Sequence, residues 1–97
     1  MLDIEHLLDR PIAYHRVFID LGIGVTGAVM LSQAIYWSRR TKDENGWFFK
    51  SRNEWTEETG LTRREQESAR KALKNTGIWQ ENRHGIPARL YFKIDLK

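Results

Sequence analysis

The sequence predicts an α+β fold, a small bundle of helices completed by a β-hairpin, and three observations carry that prediction. Two capping-box signatures, Ser51-Arg52-Asn53-Glu54 and Thr62-Arg63-Arg64-Glu65, stand close together in the second half of the chain. In each, the leading hydroxyl and the trailing carboxylate satisfy opposite orphan N–H groups, so each marks the N-terminus of a helix. Only Gly60-Leu61-Thr62 separates the two helices, the spacing of a helix-turn-helix. After Gly77, the runs 78–83 and 89–95 flank His84-Gly85-Ile86-Pro87-Ala88, which predicts a hairpin with Trp79, Tyr91 and Ile94 available to cover the helices. A helix-turn-helix followed by such a hairpin is a winged helix-turn-helix.

The remaining elements follow in order. Residues 2–9 place apolar side chains at 4, 7 and 8 and stop before Pro11, predicting a short helix. Residues 13–21, AYHRVFIDL, are rich in aromatic and β-branched types and predict a strand. A glycine stretch then leads into a helix over residues 26–40, basic in its last turn as the helix dipole favours. Asn45-Gly46 closes the next connection, and Trp47-Phe48-Phe49 predicts a very short strand. The first helix of the pair spans residues 52–59 and exits at Gly60, and the second spans 63–75 and exits at Gly77. With no repeat, linker or low-complexity tract, residues 1–97 form one domain: a helical core over 26–76 holding the helix-turn-helix at 51–76, a wing over 78–95, and residues 1–22 as the candidate dimer contact.

Composition narrows the function classes. A chain of 97 residues supports one modest core. Its 40% hydrophobic and 30% charged content is that of an ordinary globular domain. The absence of cysteine excludes disulfides and thiolate metal sites and suits a reducing cytoplasm. Residues 2–6 carry acids where a signal peptide would be basic, and the longest apolar cluster, 28–37, is about half of what crosses a bilayer. The net charge of +3 is unevenly spread. Residues 1–60 hold seven Lys/Arg against nine Asp/Glu, a net of −2, whereas residues 61–97 hold nine against four, a net of +5. The C-terminal third therefore has the field that attracts a polyanion.

Gly22-Ile23-Gly24-Val25-Thr26-Gly27 matches G-x-G-x-x-G, the fingerprint that seats a pyrophosphate at a helix N-terminus. The context argues against dinucleotide binding. A first strand of that fold is continuously apolar, but His15, Arg16 and Asp20 interrupt this one. Asp43 and Glu44 have the spacing of a ribose-binding acid, yet they lie in a polar loop after a helix, and no further βαβ unit follows. The glycines instead allow a tight turn into the helix.

Projection of residues 63–75 at 100° per residue puts Glu65, Ala69, Ala72, Leu73 and Thr76 on the core face. Opposite stand Arg63, Arg64, Glu67, Arg70, Lys71 and Lys74, five cations with one anion. Solvated faces usually interleave both signs, so this one predicts double-stranded DNA entering against the second helix. Arg63, Arg64 and Arg70 can fork onto guanine, Gln66 can bridge to adenine, and Lys71 and Lys74 serve phosphates. Glu67 accepts from cytosine, pairs with Arg63, Arg64, Arg70 or Lys71 to preorganise them, or repels nucleic acid. Arg83, His84 and Arg89 would supply the wing, and Lys50, Ser51, Arg52 and Thr62 lie at helix N-termini, where backbone N–H groups also hold phosphate.

Other chemistry is not predicted. His6, His15 and His84 share no metal-ligand spacing, and no acids form a recognisable catalytic pair, so neither enzyme activity, metal, cofactor nor small-molecule substrate is expected. Trp37, Trp47, Trp55 and Trp79 fall one per element, as core or interface anchors would.

In the residues LSQAIYW at 31–37, GWFFKS at 46–51, EETGLTRREQ at 57–66, ARKAL at 69–73 and GIPARLY at 85–91, the chain resembles the winged helix domain of phage and prophage replication-initiation (replisome-organiser) proteins and of related plasmid and prophage DNA-binding proteins. The resemblance runs in order over residues 28–94. It implies a bacterial or phage-encoded cytoplasmic protein that binds duplex DNA through the second helix of the motif. Replication members of that family often carry a further C-terminal domain that recruits a helicase or its loader. With the sequence ending three residues past Ile94, a compact transcription regulator is as well supported an expectation as a replication initiator. One small domain covers few base pairs, so a homodimer on a palindromic site is expected. The rival expectation is a protein-interaction module on the same scaffold.

Overall fold

The computed structural model describes residues 21–95. In chain order these form helix α1 (Gly24–Ser38), strand β1 (Phe48–Phe49), helix α2 (Arg52–Thr59), helix α3 (Arg63–Asn75), and strands β2 (Trp79–His84) and β3 (Arg89–Ile94). The result is a small α+β arrangement of three helices and one antiparallel three-stranded sheet, ordered β1-β3-β2. The helix and strand expected within residues 1–20, and with them the expected dimer contact, lie outside the described residues; Leu21, expected to end that strand, sits in a turn.

Helix α1 begins two residues earlier than the sequence predicts and ends at Ser38 rather than Arg40. Arg39 and Arg40 therefore lie beyond its last turn, which is not basic as expected; Arg40 instead lays its guanidinium 3.6 Å from the Tyr36 ring centroid. Ile23, the residue before the helix, is buried, and a Cβ on Gly27 would come within 2.8 Å of the Ile23 side chain. Close approach of the chain to itself is thus what Gly27 supplies. The sheet is antiparallel throughout the described residues, unlike the parallel sheet that surrounds a pyrophosphate-binding glycine motif.

Both capping boxes form. Ser51 Oγ accepts from the Glu54 N–H while Glu54 accepts from the Ser51 N–H, and Thr62 and Glu65 repeat the arrangement at α3. Each cap contributes about 1 kcal/mol. Between them Gly60 takes φ +76°, the left-handed value at which a side chain is strained, and Leu61 drops into the core. These local devices set the direction in which α3 leaves the turn.

Strand alternation divides the sheet into two faces. Trp79, Glu81 and Arg83 stand opposite Ile94, Phe92 and Leu90 on the face toward the helices, with Phe48 joining Phe92 from β1. The core is aromatic there: Trp55 and Trp79 each approach Phe92 at 5.4 Å between centroids, and Phe48 lies 5.8 Å from it. Such pairs contribute roughly 0.5–1.5 kcal/mol each beyond their buried area. Met30, Leu31 and Ala34 of α1 meet Ala69 and Leu73 of α3 in the same cluster. The other face carries Gln80, Asn82 and His84 opposite Lys93, Tyr91 and Arg89, with Phe49 beside Tyr91.

Candidate nucleic-acid interface

Helix α3 is unbroken from Arg63 to Asn75, and its apolar stripe is Gln66, Ala69 and Leu73. The stripe is rotated from the expected one, so Glu65 and Ala72 sit at its margins, half-buried. Gln66, expected in the DNA groove, is buried instead. Its amide donates to the Arg52 carbonyl, to Thr56 Oγ1 at 2.8 Å and to the Leu61 carbonyl, tying the turn to both helices. The Leu61 carbonyl also accepts from Thr56 Oγ1, so Gln66 and Thr56 together fix the turn.

Lys50, expected at a phosphate, is buried too. Alternation after Phe48 turns it inward, where its ammonium pairs with Glu58 and lies 3.9 Å from the Trp37 ring centroid. Arg70 is half-buried and forks onto Glu81, with Nε and Nη2 at 2.8 and 2.7 Å from the two carboxylate oxygens. Trp79 Nε1 donates to the same carboxylate at 2.7 Å, and Lys74 Nζ lies 3.6 Å away. Breaking a pair held this well costs several kcal/mol, more than the 1–3 kcal/mol a guanine contact returns, so Arg70 positions the hairpin rather than reading bases.

Burial alone pushes the Glu81 carboxyl up, but the hydrogen bonds from Arg70 and Trp79 and the nearby Lys74 outweigh it and hold the group below its ordinary value. The same bond raises Arg70 further above its usual range. A carboxyl depressed on folding adds stability that is complete above its unfolded value of about 4.3 and is lost as pH falls through its folded value. Thermal melts should therefore separate wild type from Glu81→Gln most widely above about pH 5, and the gap should narrow as the pH falls below that. An equal gap at both ends would contradict this account.

The remaining cations of α3 face water. Arg63 meets Glu67 at 3.2 Å, but both side chains are more than half exposed, and an exposed pair is worth only tenths of a kcal/mol. Arg63 therefore remains available. Arg64 and Lys71 are exposed, and Lys74 is half-exposed beside a carboxylate already matched by Arg70. Next to this row lies a cleft of about 240 Å³ between the start of α2 and the hairpin, lined by Ser51, Arg52, Arg70, Arg83 and Arg89 among others. The Ser51 and Thr62 hydroxyl oxygens are taken up by capping, each accepting a backbone N–H.

The hairpin contributes less uniformly than expected. Arg83 shares the face of Trp79 and reaches the cleft, whereas His84 points to the opposite face, with its ring 5.6 Å from Tyr91. Arg89 lines the cleft while its guanidinium lies 5.0 Å from the Phe49 ring centroid. The structure thus brings together Arg52, Arg70, Arg83 and Arg89 around the cleft and leaves Arg63, Arg64 and Lys71 exposed on α3, while Lys50 and Gln66 are buried and His84 faces the other side of the sheet. The role of Glu81 is invisible to spacing because its partner stands eleven positions away on another element. No helix among the described residues is long and apolar enough to cross a membrane. Comparison with protein families, curated proteins and solved structures finds no match to this chain.

Proposed function

We propose that the chain is a winged helix protein that binds double-stranded DNA, with α3 as the helix that enters the major groove. The observation that carries this reading is the row Arg63, Arg64 and Lys71 on the water side of α3, continued by Arg52, Arg83 and Arg89 around the adjoining cleft. Arg64 and Arg63 suit bidentate contact with guanine, and Lys71 and Lys74 suit phosphate. The cleft beside the α2 N-terminus receives a second stretch of phosphate, where free N–H groups and Arg52 converge. Hairpin residues Arg83 and Arg89 follow the flanking backbone. Glu67, held by Arg63, keeps that fork oriented and accepts from a cytosine amine when Arg63 swings away. Duplex recognition of this kind serves a transcription regulator or a replication initiator of the prophage type equally, and a two-fold dimer would double the site.

Salt dependence tests the reading against a protein partner. Neutralising about six phosphates gives a log–log slope of affinity on salt near −5, whereas an interface of mainly apolar contacts barely responds. Fluorescence titrations of random-sequence duplex with the chain, from 50 to 200 mM salt, should show that slope. A flat response, or no binding to any duplex, defeats the proposal.

A further inference from the structure

The sheet face turned away from α3 carries rings. Phe49, Tyr91 and His84 share it by alternation, and the loop after α1 brings Trp47 beside them. With Trp37 these rings line an open groove of about 670 Å³, within the roughly 300–1,000 Å³ of ligand sites. Phe49 stays 37% exposed, and neither Trp47 nor Tyr91 is buried. The rings do not stack flat on one another: Phe49 and Tyr91 are tilted by 54° and His84 and Tyr91 by 57°. Their faces are therefore not consumed by each other.

Positive charge predominates around the groove. Arg40 and Lys42 line it, Arg89 lies over Phe49, and the Lys93 ammonium stands 5.9 Å from the Trp47 ring centroid. The one carboxylate among the lining residues, Asp43, already accepts from the Asn45 and Trp47 N–H groups at 3.0 Å each. An aromatic floor with a cationic rim fits an anionic thread that carries planar groups. Duplex DNA hides its bases from such a floor, and an apolar peptide would leave the cations unmatched.

We propose that this groove binds a short stretch of single-stranded DNA, with bases stacked on Phe49, Tyr91 and Trp47 and phosphates held by Arg40, Lys42 and Lys93. Phe49 borders both this groove and the cleft beside α2, whereas Trp47, Tyr91 and Lys42 line the groove and not the cleft, so the two activities can be removed one at a time through them.

Binding of a fluorescein-labelled oligothymidylate of about ten nucleotides to the full chain, followed by anisotropy and by quenching of intrinsic tryptophan fluorescence, tests this. The oligonucleotide should bind and quench. Trp47→Leu with Tyr91→Leu, which keeps apolar bulk but removes the rings, should weaken it roughly tenfold or more while duplex mobility shifts are unchanged. Arg64→Ala with Lys71→Ala should do the reverse. If the ring variant fails to melt cooperatively, Lys42→Glu with Lys93→Glu on the rim should produce the same selective loss. Absence of oligothymidylate binding, indifference to the ring and rim variants, or equal loss in the α3 variant would overturn the proposal. Binding of the single strand without any duplex binding would leave it standing and defeat the α3 reading instead.

Discussion

Replacing Arg64 and Lys71 together by alanine is expected to abolish duplex binding in a mobility-shift assay and to leave the melting transition almost where it was. The two side chains are exposed and neither fills the core, so the stability change should stay within about 0.5 kcal/mol, helped by the high helix propensity of alanine. The binding change is of another size. A bidentate base contact is worth about 1–3 kcal/mol and a phosphate contact lowers the salt slope by about one, so affinity should fall by two orders of magnitude or more at 150 mM salt. Arg70→Ala offers the contrast. Because its guanidinium is engaged with Glu81, that variant should lose stability before it loses DNA. Unchanged shifts for the Arg64 and Lys71 variant, with the fold intact, would remove α3 from the interface.

How far the sequence foretold this surface depends on the reach of each signal. The two capping boxes, the turn at Gly60 and the ends of α2 and α3 were legible because every partner involved lies within four residues. The hairpin was legible from its alternation, which also implies that Arg83 and His84 face opposite ways. Gln66 was misplaced because its polarity suggested water. Its spacing with Ala69 and Leu73, i, i+3 and i+7, was the better guide, and the carbonyls it satisfies exist only once the turn has formed. Lys50 was misplaced for a similar reason: continuing the alternation of Phe48 and Phe49 by one residue turns it inward, but its charge argued otherwise. Arg70 with Glu81 joins different elements, and no local pattern announces such a pair. The aromatic groove was beyond reach as well, since Trp37, Trp47, Phe49 and Tyr91 meet only through the packing of a loop on a sheet.

The largest loss of stability from one polar substitution is expected at Glu58, a residue that no functional pattern marks. Its Oε1 accepts from Gln33 Nε2 and Trp37 Nε1, each at 2.6 Å, and its Oε2 receives the Lys50 ammonium. One carboxylate thus joins α1, the strand β1 exit and α2. The Lys50 side chain is only 3% exposed, so Glu58→Ala leaves an ammonium in the interior without an acceptor. Orphaning a buried charge costs about 3–5 kcal/mol, and the Lys50 contact with the Trp37 ring, already present in wild type, offsets none of it. For a domain of this size that lowers the melting temperature on the order of 10–40 °C. The double variant Lys50→Met with Glu58→Leu removes both charges at once and should recover most of the loss, because an apolar pair of similar volume needs no acceptor. Recovery would show that the cost lies in the unmatched charge and not in the missing side-chain volume. A Glu58→Ala protein melting within about 3 °C of wild type would mean that Lys50 reaches water when its partner is gone, and that the junction beneath the duplex face is looser than its geometry requires.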